Sequence, residues 1–392
     1  MSIYIKRKPK KGMKYNMKKI IAMVAILLSL SLITASSAAP SVDARSSILM
    51  EMSSKTAIVE NNADARVSIA SVTKIMTTLL AMEAIERGEL SYTDIITTSA
   101  HAESMGGSQV YLEVGEQMTV DDILKAVVVS SANDAAVALA EHIGGTYENF
   151  VKMMNDRAKS LGLKNTNFLD SCGLTDDKNH HSSARDIAII AGELMKHDDV
   201  KKYTLIWMDS LRGGEFELAN TNKLLKTYNG ITGLKTGFTD EAMYCMVATA
   251  ERNGVEYCAV VLGAPTTQER FDGCARLLNY GFDNFKIADR ESKGAVIEEV
   301  KVKNGKEKTV NAVMKDDFAA VVEKSVKNIE RNIVLNEKIK APLKKGDVIG
   351  YIEFLNGDKV VAKGELVAEN DVPKKSFFGV IASFYQSFLG IF

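Results

Sequence analysis

Two apolar runs, Tyr244–Ala250 and Val255–Leu262, stand on either side of Asn253-Gly254. Asn-Gly between apolar segments is a strong hairpin signal, because both residues tolerate the positive φ that a two-residue turn demands. This stretch is therefore committed to antiparallel sheet. A further run, Gly230–Gly237, precedes it. Ser46–Met52 and Thr56–Glu60, joined by a Ser-Ser-Lys turn, lie far away near the other end. Between the two groups the apolar period changes from two to between three and four. Ile75, Met76, Leu79, Met82 and Ile85 place a helix from Ser71 onward, ended by Gly88. Further helices are predicted at Val120–Val128 with Thr119 as N-cap, Asp134–Ile143, Tyr147–Leu161, Ala184–Met195 and Thr267–Leu278. Strands at both ends with helices between predict an α/β (α+β) domain: one antiparallel sheet covered by helices.

The pattern shifts after Phe285. Short strand-like runs at Val296–Val302, Phe318–Val322, Val348–Phe354 and Lys359–Glu365 are separated by Asn304-Gly305, Pro342 and Asn356-Gly357, with no long helix. Residues 286–372 therefore read as a small all-β domain, following a domain over 39–285.

Both ends of the chain point to a membrane. Residues 1–38 hold eight Lys/Arg and no acid, then the apolar run Ile20–Ile33 and small residues up to Ala38-Ala39-Pro40. That is the order of a secretory signal peptide, and the apolar run is short for a spanning helix, which needs about 20 residues. The competing reading is an uncleaved anchor; either way the chain is exported. At the other end, over 373–392, Lys374-Lys375 precede Phe377, Ile381, Phe384, Phe388 and Phe392 on one helical face. This suits an interfacial helix on the outer face of the cytoplasmic membrane; the alternative is a terminal helix docked on the β domain. The formal charge of −1 conceals this division. Without residues 1–38 the chain carries 41 basic and 50 acidic residues, a net −9. Nucleic acid is not an expected partner. Cys172, Cys245, Cys258 and Cys274 are irregularly spaced, which favours buried thiols over a zinc site. His180-His181 read as part of a polar loop.

Three short motifs could carry chemistry. Ser71-Val72-Thr73-Lys74 sets a hydroxyl and an amine one helical turn apart at a helix start, where free N–H groups favour an oxyanion. Ser131-Ala132-Asn133 puts a hydroxyl and an amide in a kink between two helices. Lys235-Thr236-Gly237 ends a strand with a charge, a hydroxyl and a residue that allows close backbone approach. Singly, each is an ordinary cap or strand exit. Their order and contexts together are specific.

The set resembles the Ser-x-x-Lys, Ser-x-Asn and Lys-Thr-Gly motifs of penicillin-binding proteins and serine β-lactamases. The wider surroundings, Ile69–Thr77, Ser130–Ala135 and Gly233–Thr239, resemble the D-alanyl-D-alanine carboxypeptidases among the low-molecular-mass penicillin-binding proteins. The likeness covers roughly Ala44 to Phe285, and more loosely the β domain and tail. Family members usually carry Pro where Ile69 stands, Asn-Pro at Ser171-Cys172 and Gly at Met243; none of these departures removes a reacting group.

The resemblance implies acyl transfer. Ser71 would attack the carbonyl between two terminal D-alanines of a peptidoglycan stem, with Lys74 as base and Ser131 as proton relay. Asn133, Lys235, Thr236, Gly237 and Phe238 would bind substrate: Lys235 and Thr236 its carboxylate, the N–H groups of Ser71 and Phe238 its oxyanion. β-Lactams would acylate Ser71. This chemistry needs no metal or organic cofactor. Alternatives in the same fold are a D,D-endopeptidase, a transpeptidase or a β-lactamase. A β-lactamase would need a deacylating Glu, whereas Glu141 and Glu148 lie on helical patterns. A catalytically dead, membrane-tethered wall-binding module conflicts with the intact motifs. A hydrolase using His180 or His181 lacks a Gly-x-Ser-x-Gly elbow.

Overall fold

The structure is a computed structural model and describes residues 38–375. Most of the leader and of the tail helix read above therefore lies outside the described residues.

The Asn253-Gly254 turn forms as its sequence demands. Both residues have positive φ, 53° and 74°, and Arg252 pairs directly with Val255. Its strands, β4 (Met243–Arg252) and β5 (Val255–Ala264), each exceed the predicted run, and β3 (Ile231–Thr239) pairs antiparallel with β4. From the far end of the sequence, β1 (Ser46–Glu51) pairs with β5, and β2 (Thr56–Asn61) with β1. The sheet order is β2-β1-β5-β4-β3, so β3, which carries Lys235-Thr236-Gly237, is an edge.

This sheet is buried on both faces, which is why its strands read as unbroken apolar runs. Cys258, Val260 and Leu262 of β5 pack with the main helical core, and Tyr257, Ala259 and Val261 pack on the opposite side. That alternation is the pleat of a strand. The main core is filled by α1 (Lys74–Glu86), α2 (Val120–Val128), α3 (Asn133–Gly144), α4 (Tyr147–Ser160) and α5 (Ala184–Met195). The other face is covered by Phe271, Cys274, Leu277, Leu278 and Phe282 of α6 (Thr267–Asn284), a helix one and a half turns longer than its sequence pattern suggested.

The rest is all β. A five-stranded antiparallel sheet runs β7-β8-β12-β11-β10, with β7 Val296–Lys301, β8 Thr309–Met314, β10 Glu330–Leu335, β11 Val348–Asn356 and β12 Lys359–Ala368. A separate pair joins β6 (Phe285–Glu291) to β9 (Phe318–Glu323). The apolar runs named four of these strands; β6, β8 and β10 were not among them. β6 and β10 are rich in charge and bury few side chains fully, so their pattern carries little hydrophobic signal. All four cysteines are buried and unpaired.

Candidate active site

Ser71 stands on a 3-10 turn, Ala70–Thr73, and α1 begins only at Lys74. The predicted helix start is thus tightened by one turn, with Ala70 forced to φ 47°. A buried chain of hydrogen bonds holds the turn. The Leu169 N–H donates to His180 Nδ1 at 3.1 Å, so the ring proton resides on Nε2. Nε2–H then donates to Thr73 Oγ1 at 2.8 Å, and the Thr73 hydroxyl donates to the Ala70 carbonyl at 2.8 Å. Only 3% of His180 is exposed, and burial pushes its pKa below the ordinary histidine value. His180 lies in a loop as the sequence suggested, but its side chain is buried and neutral beneath the nucleophile turn. Because a trans peptide directs C=O and N–H to opposite sides, pinning the Ala70 oxygen aims the Ser71 N–H the other way.

That other side meets β3. A Cβ at Gly237 would lie 2.9 Å from the Ile69 carbonyl oxygen and 3.1 Å from the Ser71 nitrogen. Glycine is therefore what lets the edge strand close against the Ser71 turn. From below, Gly173 (φ 77°) approaches so closely that a Cβ would sit 1.9 Å from the Ala70 oxygen.

Lys74 is fully buried. Its Nζ lies 3.0 Å from Ser71 Oγ, 2.6 Å from Asn133 Oδ1 and 2.8 Å from the Cys172 carbonyl oxygen. Two of these partners, the Asn133 and Cys172 oxygens, can only accept. A neutral amine has two N–H groups and one lone pair. With both N–H groups on those carbonyls, the lone pair is left to Ser71 Oγ, which is the arrangement of a base about to take the hydroxyl proton. Burial lowers the Lys74 pKa, with Cys172, Asp170 and Asp134 opposing the shift. The Cys172 carbonyl is itself held by Asp170, whose carboxylate accepts the N–H groups of Cys172 and Thr175, each at 2.9 Å, and that of Gly173. The departure at Ser171-Cys172 thus leaves the site intact, because the contact to Lys74 is made by the backbone. Burial pushes the Cys172 thiol itself up to about 11.

Ser131 sits in the kink between α2 and α3 at φ 66°. It lines the cleft with Ser71, although its hydroxyl makes no hydrogen bond among the described residues. Asn133 opens α3 and is fixed from both ends: its Nδ2 donates to the Gly106 carbonyl at 2.7 Å while its Oδ1 holds Lys74. The next residue, Asp134, accepts the N–H groups of Val110 and Leu112 and ties the 106–112 loop to this wall.

Lys235 and Thr236 complete the opposite wall, 3% and 5% exposed. Lys235 Nζ donates to the Thr236 carbonyl at 3.1 Å, and Thr236 Oγ1 donates to Thr221 Oγ1 at 2.7 Å. Burial drives the Lys235 pKa well below the usual lysine value, and the charges of Lys74 and Arg270 push the same way. Of the candidate residues, Ser71, Ser131, Asn133, Thr236, Gly237 and Phe238 line one cleft of about 460 Å³. Lys74 reaches it from beneath through Ser71. Phe238 is half exposed at its rim. A larger cavity of about 610 Å³ beside the β4–β5 turn holds none of the three motifs.

Sequence reasoning missed Thr221 and Arg270, which also line the cleft. Arg270, on α6, donates from Nη1 to the Gly237 carbonyl at 3.1 Å and lies over the Tyr244 ring. Nothing local marks it, since it reads as one more polar residue in an amphipathic helix. Glu141 accepts from or shares a proton with His101 on the outer surface and is absent from the cleft lining. Met243, where the family usually has Gly, takes φ 56°, a backbone region that favours glycine.

A Ser–Lys pair under the edge strand of an antiparallel sheet, faced by a second buried lysine, defines a serine peptidase of the penicillin-binding class. Comparison with known proteins gives the family. The model described as D-alanyl-D-alanine carboxypeptidase matches residues 33–266, and that described as penicillin-binding protein 5, C-terminal domain, matches 282–374. The chain is 39% identical over 340 residues to D-alanyl-D-alanine carboxypeptidase DacF of Bacillus subtilis, covering 86% of this chain and 87% of the relative. It is 36% identical over 365 residues to DacC of Escherichia coli, covering 89% and 90%. Penicillin-binding protein 5 from Haemophilus influenzae superposes with a TM-score of 0.77 at 33% identity, over 86% of this chain and all but 1% of that one, its coverage being 99%. The ampicillin-bound form of penicillin-binding protein D2 from Listeria monocytogenes gives 0.57 at 33% identity, over 62% of this chain and 100% of that one. The chain belongs to the D-alanyl-D-alanine carboxypeptidase family, and it is a serine-type hydrolase.

Proposed function

We propose that this enzyme removes the terminal D-alanine from peptidoglycan pentapeptide stems through an acyl-enzyme on Ser71. The observation that carries this reading is the Lys74 amine, buried, with its two N–H groups committed to Asn133 and Cys172 and its remaining direction on Ser71 Oγ 3.0 Å away. A serine hydroxyl is a weak nucleophile until such a base adjoins it. As Oγ attacks the carbonyl between the two D-alanines, Lys74 takes its proton. The oxyanion is met by the N–H groups of Ser71 and Phe238. The peptide C–N bond then breaks, and the proton passes by way of Ser131 to the leaving amine. Water cleaves the Ser71 ester, releasing the shortened stem and restoring the hydroxyl.

Lys235 gains its role from the substrate. Burial and the neighbouring Arg270 cation disfavour its charge, and Lys74 does so whenever it is protonated. A terminal carboxylate reverses that balance, because an opposite charge favours the protonated amine. Thr236 supplies a hydroxyl to the same carboxylate, and Asn133 keeps Lys74 in place while facing the substrate amide.

A β-lactam presents a comparable carbonyl and carboxylate, so penicillin acylates Ser71 and leaves slowly. We assign residues 1–38 to an export signal, 39–285 to the catalytic domain, 286–372 to the all-β domain and 373–392 to a tail on the outer face of the cytoplasmic membrane. No described helix is long and apolar enough to cross a membrane. The test is D-alanine release from a pentapeptide, paired with fluorescent-penicillin labelling. Wild type should release D-alanine and label, and Ser71→Ala should do neither; equal labelling of Ser71→Ala would sink the acyl-enzyme assignment.

A further inference from the structure

Where the described chain ends, three segments lie side by side. Residue 303 bridges 340, Gly305 bridges Lys374, and Leu343 bridges Val372. The Lys306 N–H donates to the Pro373 carbonyl at 2.8 Å, and the Ala341 N–H to the Lys303 carbonyl at 2.9 Å. These segments, 303–308, 338–345 and 371–375, contain nine lysines and two acids, Glu307 and Asp371. Eight of the lysines are exposed (Lys303, Lys306, Lys308, Lys338, Lys340, Lys344, Lys345 and Lys374). None of the eight pairs its ammonium with a carboxylate among the described residues. Asp371 is occupied otherwise, accepting the Lys345 backbone N–H at 2.7 Å. Elsewhere on the same domain exposed lysines do find partners, as Lys315 does with Glu365 and Lys363 with Glu353. The concentration is local, since residues 39–392 carry a net −9.

We infer that this lysine-rich end of the β domain is an electrostatic seat for an anionic phospholipid surface, acting with the tail. The inference rests on the membrane reading of residues 373–392. Two observations favour a membrane as the occupant. The patch surrounds the point at which the chain passes into 376–392, a sequence with large apolar residues at 377, 381, 384, 388 and 392. That sequence contains no charged residue at all. An interfacial helix usually carries its own Lys/Arg on the polar face, and stable anchoring takes two signals, apolar insertion and basic attraction. Here the apolar signal lies in the tail and the basic one on the folded domain that delivers it. Clustered exposed ammonium groups next to a membrane-directed segment are drawn to the negative surface potential of anionic lipids.

The experiment uses the chain from residue 39 to 392 in vesicle flotation. Vesicles of phosphatidylcholine alone are compared with vesicles containing phosphatidylglycerol, each at low and high salt. Wild type should bind the anionic vesicles at least about tenfold more tightly at low salt, and high salt should shrink that preference. Changing Lys303, Lys306, Lys340 and Lys344 to Gln should abolish the preference yet keep the weaker binding to phosphatidylcholine. Changing Lys152, Lys159, Lys164 and Lys223 to Gln, on the catalytic domain, should leave both unchanged. A wild-type preference that survives the first four changes, or is lost equally with the second four, overturns the seat. So does capture by soluble polyphosphate without any preference for anionic vesicles. Removing 376–392 tests the tail separately: if phosphatidylcholine binding persists without it, the tail reading fails, whatever the lysines do.

Discussion

Lysine occupies two opposite environments in this protein. In the cleft, Lys74 and Lys235 are almost wholly buried, and burial makes their charge costly. At the end of the β domain, Lys303, Lys306, Lys340 and Lys344 are exposed and clustered, with no acid paired to their ammonium groups among the described residues. In the first setting we propose Lys74 as the base on Ser71, because a neutral lone pair is what a serine hydroxyl requires, and Lys235 as the amine that regains its charge beside the substrate carboxylate. The second presents the ammonium to solvent, which suits a charged surface and no chemistry. Position, not residue type, decides the role.

Substitutions in the two sets should therefore separate cleanly. Removing the nucleophile has the largest effect: Ser71→Ala should lower D-alanine release by about 10⁶, by analogy with other serine acyl-enzymes. Lys74→Gln keeps a polar group but no base and should cost about 10³, while Lys340→Gln leaves release from a soluble peptide within about twofold. A large effect at Lys340 would break the distinction. Lys235→Gln should reduce kcat/KM by about 10- to 100-fold for a peptide with a free carboxylate, and far less for the same peptide amidated at its end. Equal losses on both peptides would mean that Lys235 does not read the carboxylate.

A smaller effect tests the support beneath the nucleophile. Deleting an oxyanion donor costs about 10²–10³ in rate. Thr73→Val releases the Ala70 carbonyl and leaves the buried His180 Nε2–H without its acceptor, so the Ser71 N–H is misaimed, and acylation by penicillin should slow by about tenfold. Thr73→Ser, which keeps the hydroxyl for both contacts, should restore the rate. The smallest effect falls outside both lysine sets. Met243→Gly should raise stability to denaturant by about 1 kcal/mol, since a non-glycine residue in that backbone region costs about 1–3 kcal/mol and glycine's flexibility returns part of it.

The legible parts of the molecule were those whose cause is local. Asn253-Gly254 specifies its own turn, α2 and α5 follow their apolar period and caps, and Ser71, Lys74, Asn133, Lys235 and Thr236 meet because each lies in a short motif at the end of an element. What stayed hidden depends on partners distant in sequence. Arg270 is 33 residues from the Gly237 carbonyl that it holds. The Cys172 carbonyl has no side-chain signature. The burial of the His180 side chain within its loop comes from Phe168 and the nucleophile turn packing over it, which no short-range pattern records. The strands β6 and β10 escaped because half-exposed, charged strands carry little apolar rhythm.

The central claim is that Lys74 works as a neutral base on Ser71. Its folded pKa is lowered by burial, so the reactive neutral form accumulates as pH rises through a value below the ordinary lysine range. The pH dependence of the rate at which penicillin acylates Ser71 measures this directly. The rate should climb on an ascending limb below about 10.4, the unperturbed lysine pKa, and Lys74→Gln should flatten that limb. A limb at the ordinary lysine pKa, or one unchanged in Lys74→Gln, would contradict it.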